Sequence, residues 1–185
     1  MRRLSIALLA LFLGGPVHAL EAGGVKLDDK ANVGGQELVL NGAGVRSRVV
    51  FKVYVASLYL PGKTSDAAVV LAKGPRRIQM NMLRTLAPDQ LVDALTEGLK
   101  ENNSEAELAA VKGQTDQLMA IMKSFGEVKE GNVVTLDFVD GATVVGLNGA
   151  PRGTIPGEPF NKALTKIWLG DKPGQADLKK ALLGG

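Results

Sequence analysis

The residues whose types could do chemistry together are Arg46, Lys52 and Tyr54, in the stretch from Asn41 to Pro61. A guanidinium beside a phenol can hold a carboxylate through charge-assisted, potentially bidentate hydrogen bonds, or stabilise an oxyanion formed during proton transfer. Asn41-Gly-Ala-Gly-Val-Arg46 reads as a glycine-punctuated turn that delivers Arg46 to the mouth of a strand running from Val49 to Leu60. Along that strand Lys52 and Tyr54 share one face, because strand side chains alternate with a period of two. Each residue also has an ordinary reading. Arg46 suits a surface arginine or the partner of a nearby acid, Tyr54 a sheet tyrosine with its hydroxyl at the rim, and Lys52 a lysine snorkelling to solvent. The glycines are not a phosphate loop, since a strand follows and the Gly-Lys-Ser/Thr ending is missing.

The rest of the inventory removes most other chemistries. Arg2 and Arg3, the apolar run Leu4 to Leu13 and the small-residue pattern Val17-His18-Ala19 read as an export signal cleaved near Ala19. The apolar run is shorter than the roughly 20 residues a spanning helix needs, so no stable membrane anchor is expected and the mature chain is expected in the periplasm or secreted. The only histidine, His18, lies inside that leader and the chain has no cysteine. Imidazole bases, thiol nucleophiles, Cys/His metal sites and disulfides are therefore absent from the mature chain, and no metal or cofactor is expected. Removing Arg2 and Arg3 from the 22 basic residues leaves them almost balanced by the 19 acidic ones, which gives no electrostatic case for nucleic acid.

Residues 20–185 suit one domain, with no linker or internal repeat dividing them. Glu37 to Asn41, Val49 to Leu60 and Arg76 to Leu83 alternate as half-buried strands, and Ser65-Asp66 can cap a short helix through Ala72. Pro88-Asp89 opens a helix to Asn102-Asn103, and Ser104-Glu-Ala-Glu107 is a capping box for a second helix to about Phe125. Asn132 to Phe138, Thr143 to Leu147 and Arg152 to Ile155 form a meander turned at Asp140-Gly141 and Asn148-Gly149. A helix from about Pro159 to Leu169 and a short one to Leu183 close the chain. Asp137 and Asp140 flank a turn and read as solvated, and Trp168 reads as a helix-packing anchor. The expected class is α+β, one large antiparallel sheet with a helical layer on one face.

The stretch from Asn41 to Leu60, with Ala87-Pro-Asp-Gln-Leu-Val-Asp-Ala-Leu-Thr-Glu-Gly98, Gly141-Ala-Thr, Asn148-Gly149 and Ile167-Trp-Leu-Gly-Asp-Lys-Pro173, resembles the chalcone isomerase-like family, including its fatty-acid-binding branch. The resemblance covers roughly residues 35 to 183 and implies an open-faced β-sandwich with a ligand cleft between sheet and helices. Of the polar groups that the plant isomerases of that family use, it carries over only the arginine, as Arg46. The strand threonine falls at Tyr54, the helix tyrosine at Leu91, the helix asparagine at Gly98 and a late hydroxyl near Phe160. The fatty-acid-binding branch implies instead a carboxylate clamp of Arg46 and Tyr54, with Lys52 as a further candidate contact and Leu91 and Phe160 on the apolar wall.

Three functions follow as expectations. One is an exported non-catalytic binder of a fatty acid or similar small amphipathic carboxylate. Another is an isomerase or intramolecular lyase acting on a phenolic or enone substrate through Arg46 and Tyr54. The third is an envelope protein-interaction module whose cleft is vestigial. A packed interior beside Arg46 favours the third, and a deep apolar cleft reaching Arg46 favours the first.

Overall fold

The structure is a computed structural model that describes residues 20–185; the expected leader over residues 1–19 lies outside the described residues. The chain opens with a hairpin of β1 (Leu20–Ala22) and β2 (Val25–Leu27). A seven-stranded antiparallel sheet follows, in which every strand pairs with its neighbour in sequence. Its strands are β3 (Lys30–Val33), β4 (Gln36–Arg48), β5 (Phe51–Leu60), β6 (Arg76–Met82), β7 (Val133–Val139), β8 (Ala142–Leu147) and β9 (Ala150–Pro156). The short helix α1 (Ala67–Leu71) connects β5 to β6, and α2 (Pro88–Asn102), α3 (Glu105–Ala110) and α4 (Lys112–Ser124) are inserted between β6 and β7. The chain ends with α5 (Glu158–Leu169) and α6 (Ala176–Leu182). Among the described residues no helix is long and apolar enough to cross a membrane.

Period-two alternation assigns the faces of the sheet. Ile78, Met80 and Met82 of β6 and Val134, Leu136 and Phe138 of β7 all turn toward the helices, where they form the main core with Leu99, Leu118, Phe160 and Leu164. This is the expected layered α+β arrangement. The opposite face is not bare: Leu27, Val33, Leu38, Leu40, Val55 and Tyr59 form a second, smaller core with the β1–β2 hairpin packed against it. Gly23-Gly24 and Gly34-Gly35, all at positive φ, turn the first two hairpins, so the glycine pairs carried a hairpin signal that the sequence reading did not use. Asp140-Gly141 and Asn148-Gly149 adopt the expected positive-φ turns.

The helix caps follow the sequence where a side chain was available to make them. The Ser104 hydroxyl accepts from Glu107 N at 3.2 Å while Glu107 Oε2 accepts from Ser104 N at 2.8 Å. Lys166 also reaches Glu107 at 2.8 Å, and these bonds hold the carboxyl down at about 2. The helix expected to run on to Phe125 breaks instead at Val111, whose φ of −113° and ψ of 15° leave the helical path. Val111 is buried in the core, and the bend lets both pieces keep an apolar side inward.

Three expectations are corrected by packing. Gly42 and Gly44 form no turn but lie inside the continuous strand β4. A Cβ on Gly42 would stand 2.1 Å from the Ala181 carbonyl oxygen, and one on Gly44 would stand 2.9 Å from Ala181 Cβ, so α6 rests directly on bare strand backbone. The hairpin turn comes later, at Val49-Val50, between the paired residues Arg48 and Phe51. Asp137 is not solvated, because Arg77, its cross-strand partner, binds both of its carboxylate oxygens on the outer face.

Gly42→Ala is therefore expected to destabilise the protein by about 3 kcal/mol, since backbone rather than a side-chain end must move. For a chain of this size that corresponds to a fall of roughly 6 to 12 °C in Tm. Thermal unfolding beside Gly113→Ala checks this, because a Cβ at Gly113 in α4 meets nothing within 4 Å and helix propensity there favours alanine. Equal stability of the two variants contradicts the contact.

Candidate functional site

The β4–β5 pairing sets Arg46 directly opposite Tyr54, and the β5–β6 pairing sets Tyr54 opposite Met82. The three side chains make a row across the helix-facing side of the sheet. Above them lies a cavity of about 520 Å³, walled by Met80, Met82 and Val134 from the sheet and by Leu91, Leu95 and Met122 from the helices. Ile167 and Trp168 of α5 close its end, while Arg48, Arg84, Asp93, Glu97 and Glu101 stand at the rim. The inner wall is apolar and buried, and the rim is charged and exposed. Among the described residues no three His, Cys, Asp or Glu side chains converge on a point where a metal ion could sit.

Arg46 is half-buried and oriented by the loop after α5. Its Nη1 donates to Gly174 O at 2.6 Å and reaches Ser47 O at 3.3 Å. Gln175 holds the strand beside it: its Oε1 accepts from Ser47 N at 2.9 Å and its Nε2 donates to Val45 O at 3.1 Å. Asn102 at the end of α2 fixes the same loop, donating to Lys172 O at 2.9 Å and accepting from Lys172 N at 3.0 Å. Nη1 also donates to Gln175 Oε1 at 3.5 Å, and the guanidinium lies beside the Tyr54 hydroxyl.

The Tyr54 hydroxyl accepts from Trp168 Nε1 at 3.0 Å, which leaves its own proton to donate. Burial pushes the phenol above its ordinary value; the indole N–H and the charge and hydrogen bond of Arg46 act the other way and offset this only in part. At neutral pH Tyr54 is thus an uncharged donor beside a fixed cation. Trp168 does more than pack, and Gln175 and Gly174 orient Arg46. The Trp168-to-Pro173 block singled out in the sequence contains only the first of the three and stops just short of Gly174 and Gln175; it reads as a helix end until its return to β4 is known.

The structure brings Arg46, Tyr54 and Leu91 to one cavity but not Lys52 or Phe160. Lys52 is exposed on the opposite face. The pairing shifts from Arg46–Tyr54 to Ser47–Lys52, so Val53 is an extra residue that inverts the alternation between Lys52 and Tyr54. Phe160 is fully buried in the core at the first turn of α5. It lies about 11 Å along the helix from the Ile167–Trp168 end that reaches the cavity. Gly98 lines the cavity where α2 crosses α5, and a Cβ there would stand 2.7 Å from Ile167 Cγ2, which leaves no room for an amide side chain.

Comparison with known proteins adds family and fold. No curated protein matches the chain by sequence. Among solved structures, a fatty-acid binding protein of Arabidopsis thaliana superposes with a TM-score of 0.67 over 86% of this chain and 92% of that one, at 11% sequence identity. At that identity the likeness is one of fold. The family described as chalcone isomerase-like matches residues 19–184. With nearly the whole described chain inside that match, and the layered sheet in agreement with it, the chain belongs to the chalcone isomerase-like family.

Proposed function

We propose that the chain is an exported, non-catalytic binding protein for a fatty acid or a similar small amphipathic carboxylate. The observation that carries this reading is the single cavity that joins a fixed guanidinium and a neutral phenol to an apolar interior. Its volume falls in the range of about 300 to 1,000 Å³ usual for small-molecule sites. The carboxylate lies against the Arg46 guanidinium and accepts from the Tyr54 hydroxyl, while the chain runs inward past Leu91 and Leu95 toward Met122. At about 0.8 kcal/mol per buried methylene, a tail of about twelve carbons offers up to roughly 9 kcal/mol before ordering and association costs. The tail then supplies affinity, and Arg46 supplies polarity and orientation.

Catalysis has less support from the same residues. An acid–base catalyst works best with a pKa near the operating pH, whereas Tyr54 is pushed away from neutrality. The positions that in the family's isomerases carry an orienting tyrosine and asparagine hold Leu91 and Gly98. An open cavity beside Arg46 also favours a bound ligand over a vestigial cleft.

Arg46→Met removes a charge-assisted hydrogen bond worth about 1.5 to 3 kcal/mol, so the affinity for a long-chain carboxylate is expected to fall about 10- to 100-fold. Binding of the corresponding methyl ester should change little, and Leu95→Trp should abolish both by filling the cavity. Calorimetric titration of the three proteins with acid and ester checks this; no uptake of either, or equal affinity of wild type and Arg46→Met for the acid, refutes it. Native mass spectrometry of the protein from its own host adds the identity of any co-purified acid.

Spectroscopic titration of the phenols supplies a second check. The chain has two tyrosines, and burial raises both Tyr54 and Tyr59 above the ordinary value of about 10. Little phenolate is expected to form as the pH rises through that value, and Tyr54→Phe should remove one of the two late steps. A bound carboxylate places a like charge beside the phenolate, so it should move the Tyr54 step higher still. A ligand that leaves this step unchanged does not sit against Tyr54.

A further inference from the structure

The tip of the β4–β5 hairpin is the most exposed apolar feature among the described residues. Val49 is 91% exposed, Val50 81% and Phe51 59%. The other two-residue hairpin turns, at 23–24, 34–35, 140–141 and 148–149, each contain glycine. This one carries two valines, with Val49 at φ +56°, a conformation that β-branched residues disfavour. The backbone thus bears strain to present aliphatic side chains to solvent.

The surroundings of the tip narrow down what it meets. Arg48 and Lys52 flank it in sequence, both exposed, and the Arg84 guanidinium stacks over the Phe51 ring at 4.9 Å from its centroid. Val49 and Phe51 also line the cavity, so the tip forms one lip of its mouth. The acidic residues of the mouth, Asp93, Glu97 and Glu101, all belong to α2 on the opposite lip, where Glu97 meets Arg48 at an exposed 3.8 Å. Three apolar side chains are too few for a stable protein interface, which takes about 800 Å² per partner. An apolar wedge ringed by arginine and lysine suits the boundary between acyl chains and anionic head groups, where long basic side chains reach back to the head groups.

We propose that Val49, Val50 and Phe51 dock the protein on an anionic lipid bilayer, with Arg48, Lys52 and Arg84 contacting the head groups. Docking brings the cavity mouth to the lipid surface while the acidic lip stays in water. A lipophilic acid then passes between bilayer and cavity without crossing bulk solvent. This purpose rests on the binding role proposed above, but insertion of the tip is measurable with the cavity empty.

Since the chain has no cysteine, Val50→Cys gives a unique attachment site for an environment-sensitive fluorophore. Ala120→Cys, exposed on α4, gives a control site away from the cavity mouth. Added phosphatidylglycerol–phosphatidylethanolamine vesicles should blue-shift and brighten the label at position 50 but not at position 120. Phosphatidylcholine vesicles should do so at least 10-fold less strongly, and high salt should weaken the response. Reversing Arg48 and Arg84 to glutamate should lower the apparent vesicle affinity by 10-fold or more. No response at position 50, equal responses at both labels, or equal responses to the two vesicle types overturns the proposal. Vesicle insertion by a wild-type protein that takes up no carboxylate means that the ligand reading fails and this one stands, whereas carboxylate uptake with no response at position 50 means the reverse.

Discussion

The site depends on a contact between two backbones. The α6 helix rests on β4 where Gly42 and Gly44 offer no side chain, and the Ala181 and Leu182 carbonyls come against the strand itself. Asn41 secures the seam, donating to Leu182 O at 2.7 Å and to Thr64 O at 3.0 Å while accepting from Thr64 N at 2.8 Å. With α6 fixed at this depth, the loop from Gly170 to Gln175 is drawn over the edge of β4. Its Gly174 carbonyl then meets Arg46, and Gln175 binds the strand on either side of it. A Cβ at Gly42 would push α6 outward and, through the 170–175 loop, loosen the Arg46 guanidinium farther along the same strand.

The sheet keeps a cavity open because the chain is secured elsewhere. A void forfeits the dispersion contacts its lining would otherwise make, and this chain has no disulfide to compensate. Stability comes instead from two separate cores, one on each face, and from buried polar groups that hold their partners tightly. Arg76 is 1% exposed and, among the described residues, faces no carboxylate within bonding distance. Its charge is met by Thr165 Oγ1 at 3.0 Å, by the carbonyls of Ala72, Gly74 and Asn161, and by the Phe138 ring at 4.5 Å. Even so, burial lowers this arginine to about 10, a measure of how dry that end of the core is. The cavity lies at the opposite end of α5, so the packed end and the open end share one helix.

Much of this architecture was legible because its signals are local. Alternation in β6 and β7, the Ser104–Glu107 capping box and the Asp140-Gly141 turn depend on a few adjacent residues, and each formed as read. The errors arose where a distant segment decides the outcome. The glycines at 42 and 44 were correctly singled out, but their role is set by Ala181, far along the chain, and a turn explains a glycine equally well until that partner is known. The Val53 bulge inverted Lys52 because alternation counts residues and cannot see one inserted without a partner. Phe160 was misplaced because α5 has apolar residues along its whole length, and the pattern alone does not say that Ile167 and Trp168, rather than Phe160, reach the cavity. Trp168, Gly174 and Gln175 reach the site through a return of the chain that no local pattern announces.

The arrangement around Arg46 explains why a guanidinium suits this position better than an ammonium. Gly174, Ser47 and Gln175 all accept from Nη1, and Gly174 lies so close to Nη2 that a Cβ there would stand 2.9 Å from it, so the loop holds the guanidinium in place. A planar fork held by one prong is already oriented for a planar carboxylate, so less side-chain entropy is lost on binding than with a lysine on a flexible stem. Tyr54 complements this without competing for the charge. Accepting from the Trp168 indole polarises the phenol toward donating its own proton, and its raised pKa keeps that proton in place. The phenol that keeps its proton at neutral pH therefore stands as a hydrogen-bond donor beside the guanidinium. Under the carboxylate-binding role proposed above, the protonation state of the ligand, rather than that of Tyr54, sets when the clamp closes.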